Sequence, residues 1–250
     1  MVDDTDGEGD GRGDDGDVRS GYDALSRAAD ADDLSATTSP WGDSHFQREY
    51  AWPGVRERLP AVDDAAVLLA GCGRGDHVGY FRERDATVTG VDASPDALST
   101  ARERHPGCEF AACDLGTGLP FDDGAFDVVL SNLVLSHLPD LDRALAAVER
   151  VLADDGAFVA GVIHPAYQRS HWDLEAYAEP TARVVDWGAA TLRSHYRPTS
   201  AIVQAFVDAG LKLERVAEPT PLASYADANP ERYAAAMAEP QVLVVRARKQ

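Results

Sequence analysis

Between Val67 and Gly79 the chain reads VLLAGCGRGDHVG: a short apolar run leads straight into glycines at every second position, and a helical pattern follows. An apolar run of that length suits a strand buried on both faces. Gly71, Gly73 and Gly75 then allow a tight turn whose backbone a ligand can approach closely, which side chains at those positions would prevent. A turn of this kind sits at the carboxyl edge of a doubly wound sheet, where ligands bind. Dinucleotides, nucleoside phosphates and adenosyl compounds all use such turns. Gly79 arrives four residues after Gly75, so the G-x-G-x-x-G phosphate fingerprint is missed, and no GK[ST] follows to make a P-loop.

The rest of the chain has the alternation such a sheet needs. Val67–Ala70 predicts a strand, 76–84 a helix and Thr87–Val91 a strand. Ser94–Arg104 predicts a helix capped by Ser94 with Pro95 in its first turn. Strands are expected at Glu109–Ala112, Ala125–Asn132 and Ala157–Ile163, the last two separated by an amphipathic helix closing near Gly156. Short apolar strands alternating with helices predict an α/β fold with a doubly wound, mostly parallel sheet. Residues 164–197 break the rhythm and read as an irregular insertion rich in His, Tyr, Trp and Arg. A helix, a strand around Leu211–Ala217, a helix opened by Asn229 and Pro230, and a final strand around Val242–Arg246 complete a seven-stranded sheet with an antiparallel edge. Residues 21–60 predict one or two short helices anchored by Trp41, Phe46, Tyr50 and Trp52.

Two acids sharpen the ligand. Asp92 ends the second strand about 20 residues past the glycines, where a carboxylate accepts both hydroxyls of a ribose. Asp114 ends the third strand, where a carboxylate can accept from the exocyclic amine of adenine, a feature a dinucleotide domain does not need.

Over residues 60–163 the chain resembles class I S-adenosylmethionine-dependent methyltransferases, small-molecule type 11/25-like. VLLAGCGRG is similar to the family's glycine loop, TGVDASPDAL to its ribose segment, and CDLGTGLPFDDGAFDVVLSNLVLSHLPD to its adenine loop and fourth strand. The resemblance implies a Rossmann-like methyltransferase fold and S-adenosyl-L-methionine as cofactor. By position, Gly71, Gly73 and Gly75 would face its methionine part, Asp92 its ribose, Asp114 and Leu115 its adenine, and Asn132 its reactive end, with Cys72 and Ala93 in the same set. The family usually has an acid two residues before the first glycine; here that residue is Leu69.

Methyl transfer asks the protein for alignment, water exclusion and, where the acceptor carries a proton, a base. His137 and His164, past the fourth and fifth strands, are the candidate bases. Tyr167, Tyr196 and Arg197 in the insertion, expected to form a lid over 164–197, are the candidate substrate contacts: the tyrosines to enclose it, Arg197 to hold a carboxylate. Trp41 and Tyr50 would cover the cofactor or pack the core. The [DN]PP[YFW] motif of base-amino methyltransferases is absent after the fourth strand.

Composition narrows the acceptor. The net charge of −20, with Lys212 and Lys249 the only lysines, resembles that of proteins from salt-loving organisms and opposes a polyanionic substrate. A small-molecule acceptor is expected, with no nucleic acid, no membrane partner and no metal, in a monomer or homodimer. The acidic N-terminus lacks a secretory pattern, and Cys72, Cys108 and Cys113 show neither CxxC nor metal spacing, which predicts a cytoplasmic protein with reduced thiols. Residues 1–20 read as a disordered acidic tail and 21–250 as the methyltransferase domain. Within the tail, Asp4, Asp6, Glu8, Gly9 and Asp15 only loosely mimic a calcium loop, and the RGD at Arg12–Asp14 is read as equally fortuitous. The rivals are a nicotinamide-dependent oxidoreductase, a non-catalytic S-adenosylmethionine-binding or partner-binding protein, and an RNA-modifying methyltransferase.

Overall fold

The computed structural model describes residues 17–37 and 39–250. The acidic calcium-like and RGD segments fall outside those residues, as does nearly all of the expected tail. Val18–Ser20, inside that tail, are instead the first turn of a helix, capped by the Asp17 carboxylate accepting from the Ser20 amide at 3.1 Å.

The elements in chain order are α1 (Val18–Asp30), α2 (Trp52–Arg56), β1 (Ala66–Ala70), α3 (Val78–Arg82), β2 (Thr87–Asp92), α4 (Pro95–Arg104), β3 (Glu109–Ala112), β4 (Phe126–Asn132) and α5 (Leu141–Val151). Then follow β5 (Leu152–Ile163), α6 (Pro165–His171), β6 (Thr181–Asp186), β7 (Thr191–Tyr196), α7 (Thr199–Asp208), β8 (Leu211–Ala217), α8 (Ser224–Ala228), α9 (Pro230–Ala238) and β9 (Val242–Lys249). Seven strands form one sheet in the order β3-β2-β1-β4-β5-β9-β8. The first five are parallel, and β9 inserts antiparallel between β5 and β8. The strand order reverses between β1 and β4, and that switch point opens the crevice in which doubly wound sheets bind ligands.

Both faces of the sheet are covered, which is why β1 and β4 are continuous apolar runs. Leu68 and Ala70 point into one core with Val129, Leu145, Phe158 and Phe206. Val67 and Leu69 point into the other with Val55, Phe81, Leu98 and Val159. The helix expected to close near Gly156 ends earlier: Leu152 turns extended, is fully buried, and pairs with Phe126, so the sheet claims residues that helical spacing had assigned to α5.

The insertion after β5 is more regular than its sequence suggests. It holds α6 and an antiparallel hairpin, β6 with β7. The hairpin's β7 packs on α1, where Gly21 brings the helix so close that a Cβ there would lie 2.3 Å from Leu192 Cδ2. The chain's N-terminal helix and its insertion therefore meet above the carboxyl ends of the strands.

Phe158 is fully buried and stacks on Phe206 with ring centroids 5.4 Å apart. Phe158→Ala removes that contact and leaves a cavity between β5 and α7, so it should cost about 3–5 kcal/mol in chemical denaturation at high salt. A loss below about 1 kcal/mol would mean that this core is not packed as described.

Candidate functional site

A cavity of about 1600 Å³ lies at the carboxyl ends of β1 to β4, closed over by α1, α6 and the β6–β7 hairpin. A single drug-sized ligand occupies roughly 300–1,000 Å³. There is room for two molecules side by side.

The floor is built by the glycine turn. Gly71 and Gly73 adopt φ of +84° and +53°. The amides of Gly71 and Cys72 donate to the Val91 carbonyl at 2.8 and 2.9 Å, tying the turn to β2. Asp92 then receives the Gly73 amide on one carboxylate oxygen at 2.8 Å and the Ser94 amide on the other at 2.9 Å. Burial pushes its pKa upward, and the backbone amides pull against that shift. Asp114, past β3, accepts from the Gly116 amide at 2.8 Å.

Gly71, Cys72, Gly73, Asp92, Ala93, Asp114, Leu115 and Asn132 all line this one cavity. Gly75 does not: it holds φ of +81° for the turn, and its carbonyl accepts from His105 Nε2 at 3.0 Å. Leu69 is buried among apolar side chains, so nothing polar replaces the missing acid at that position. Acceptor-only carboxylates at two neighbouring strand ends suit the hydroxyl and amine donors of an adenosyl group, so the donor set fits the implied cofactor.

Polar residues that sequence reasoning passed over stand beside Asn132. Its Nδ2 donates to His77 Nε2 at 3.0 Å and to Gln47 Oε1 at 3.3 Å. His77 stacks on Trp52 with ring centroids 4.1 Å apart, and burial pushes its pKa down to about 4, so the ring is neutral and its Nε2 is an acceptor. His77 directly follows the glycine turn and was visible there; nothing local marks Gln47.

The two candidate bases separate. His137, in the short helical turn after β4, lines the cavity. His164 is absent from its lining and has no nitrogen to spare: Nδ1 accepts from the Ala166 amide at 3.0 Å, capping α6, and Nε2 faces the Glu218 carboxylate at 3.0 Å. His164 serves as the cap of α6 and lies outside the cavity lining.

The substrate candidates divide as well. Tyr167 lines the cavity. Tyr196 is fully buried beneath the hairpin, its hydroxyl donating to the Tyr177 carbonyl at 2.7 Å. Arg197 lies outside the cavity lining and donates to the carbonyls of Leu138 and Pro139 at 2.5 and 2.9 Å, holding the turn after His137. Period-two alternation along β7 puts Tyr196 in the packed layer. Trp41 lines the cavity with its Nε1 donating to the Leu25 carbonyl at 3.3 Å, whereas Tyr50 is core, its hydroxyl accepting from the Gln241 amide.

The roof is fastened through the floor. Arg74, inside the glycine turn and almost fully buried, donates to the Ser26 carbonyl at 2.7 Å and to Asp30 at 2.6 Å. Ser94, which caps α4, also donates to Asp23 of α1 at 2.5 Å. These bonds hold Tyr22 of α1 over the cavity, its hydroxyl 3.2 Å from His137 Nε2. Among the described residues, no helix is long and apolar enough to cross a membrane.

Residues 68–160 match a methyltransferase domain family. The chain is 36% identical over 119 residues to a phthiotriol/phenolphthiotriol dimycocerosates methyltransferase of Mycobacterium tuberculosis, covering 46% of this chain and 43% of that one. It is 38% identical over 101 residues to a malonyl-[acyl-carrier protein] O-methyltransferase of Pseudescherichia vulneris, covering 40% of this chain and 38% of that one. The chain thus spans less than half the length of these curated relatives. A crystal structure of an S-adenosylmethionine-dependent methyltransferase from Mesorhizobium loti superposes with a TM-score of 0.66 at 27% identity, covering 79% of this chain and 97% of that one.

A Cβ on Gly71 would fall 2.2 Å from Val134 Cγ2, at a backbone angle that side chains rarely adopt. Gly71→Ala should destabilise the fold by about 1–3 kcal/mol in denaturant titration, since it adds strain and a clash together. Unchanged stability would show that the turn is looser than this geometry.

Proposed function

We propose that this chain, whose residues 68–160 match a methyltransferase domain family and whose fold is that of S-adenosylmethionine-dependent methyltransferases, transfers a methyl group from S-adenosylmethionine to a small-molecule acceptor. One observation carries the reading: the glycine turn, Asp92 and Asp114 come from three different strand ends and face one cavity. In that cavity Asp92 would hold the ribose hydroxyls, Asp114 and Leu115 the adenine, and Gly71, Cys72, Gly73 and Asn132 the methionine end. The bound cofactor supplies a sulfonium-activated methyl group open to in-line displacement. The protein's share would be to fix the partners at short range and limit water, and α1, α6 and the hairpin are the elements placed to do so.

A small acceptor is favoured over nucleic acid because a chain of net charge −20 repels a polyanion. The three free thiols suit a reducing cytoplasm. A second reading, cofactor binding without turnover, draws on Leu69, which removes a polar contact that related enzymes keep. Cys72 does not supply a thiolate in its place, because burial and the Asp92 charge push its pKa well up.

Calorimetric titration of S-adenosylmethionine at molar salt should give micromolar binding to the native chain. Asp92→Ala should weaken it at least about tenfold, the size of one or two lost hydrogen bonds to a charged group. No binding to a folded native sample would overturn the cofactor assignment. Binding without methyl transfer to any acceptor in a broad screen would favour the second reading.

A further inference from the structure

His137 cannot meet an acceptor directly. Its Nδ1 lies 2.9 Å from the Arg193 carbonyl, which can only accept, so Nδ1 carries the ring hydrogen. Nε2 is then a lone pair in the neutral ring, and it is already occupied by the Tyr22 hydroxyl at 3.2 Å. The two rings meet edge to face with centroids 5.6 Å apart. Tyr22 also lines the cavity and packs edge to face on Trp41, which covers the glycine turn. With its O–H committed to the imidazole, Tyr22 offers only oxygen lone pairs to a neighbouring molecule. Such a group receives a proton donor.

Resting on the methyltransferase reading above, we propose that Tyr22 is the catalytic residue that contacts the acceptor, that it relays the acceptor's proton to His137, and that the acceptor is an aromatic hydroxyl compound. In the transfer the acceptor oxygen bonds to the methyl carbon and the carbon–sulfur bond breaks with its electron pair going to sulfur. The acceptor proton moves to Tyr22 Oη while the Tyr22 proton moves to His137 Nε2. The imidazolium so formed keeps its Nδ1–H on the Arg193 carbonyl, an arrangement made before the reaction begins. Aromatic rings favour a planar acceptor: Trp172, Trp187 and the stacked pair of Tyr167 and His171 line the part of the cavity under the insertion.

The surroundings keep the relay in its resting form. Burial raises the Tyr22 pKa, with Asp92 adding to it, so the phenol stays protonated. Burial lowers that of His137 against the pull of the Arg193 carbonyl, and the lowered pKa favours the neutral ring. Besides Asp92, which acts on Tyr22, His195 of β7 lies close enough to His137 for the two rings to repel when charged. His195 is itself held neutral by burial and by Arg197 and Arg193.

The test uses the full chain at molar salt with S-adenosylmethionine and two probes: phenols of graded acidity, and hydrosulfide, an anion at pH 8.5 that needs no base. Tyr22→Phe should lower the ratio of phenol to hydrosulfide methylation by about 100-fold, the low end for general-base catalysis. The loss should shrink for phenols that are already ionised. His137→Gln, which keeps an acceptor for Tyr22 but does not titrate, should show the same loss and no acid limb in its pH profile. In nitrogen-labelled histidine spectra without acceptor, His137 should carry its hydrogen on Nδ1, and Tyr22→Phe should shift Nε2 alone. Equal ratios in native chain and Tyr22→Phe would overturn the relay, as would a hydrogen found on Nε2. Hydrosulfide turnover with no phenol methylated would overturn the hydroxyl acceptor while leaving the methyltransferase reading standing. Failure to bind S-adenosylmethionine would overturn that reading itself.

Discussion

A half-buried carboxylate with two backbone amides holds the site together. Asp92 accepts from Gly73 on one oxygen and from Ser94 on the other, so one side chain fixes the glycine turn, the end of β2 and the start of α4. Neither amide has a helical or strand partner, and leaving such groups bare in a buried place costs about 1–3 kcal/mol each. The carboxylate meets that need and remains on the cavity wall. Its geometry is thus set by the fold before any ligand arrives, which is what a recognition group requires.

From this point the roof follows. Arg74 belongs to the same turn and reaches α1, while Ser94 belongs to the same α4 start and reaches Asp23. The floor of the cavity therefore carries the anchors of its own lid. Gly21 then allows α1 to lie against β7, which brings the hairpin over the far side. Tyr22 is adjacent to Gly21 in the chain, so the residue that permits the close approach also delivers the phenol to His137. A site assembled in this way brings aromatic side chains of α1 and of the insertion to one cavity.

The sheet was legible because its signals are local. The apolar runs of β1 and β4, the Ser94 cap and the strand-end acids each announce themselves within a few residues. The insertion reads as a lid in sequence, but the contacts that fasten it do not, for the opposite reason. The Tyr22–His137 pair joins positions 115 apart in the chain, and no short spacing encodes it. His164 and Arg197 looked chemical in sequence, yet one caps a helix and the other ties two carbonyls, roles that depend on where the backbone runs. Tyr196 lies outside the cavity lining because strand pleating turned it inward. The end of α5 was misplaced because pairing of Leu152 with Phe126 outweighed helical periodicity.

The most direct measurement is a crystal structure of the chain with S-adenosylhomocysteine and a bound phenol, grown at molar salt. The ribose hydroxyls should lie on the Asp92 carboxylate, the adenine amine at Asp114, and the phenol oxygen between the cofactor sulfur and Tyr22 Oη. A cofactor seated away from Asp92, or a phenol oxygen bonded to a group other than Tyr22, would contradict this arrangement.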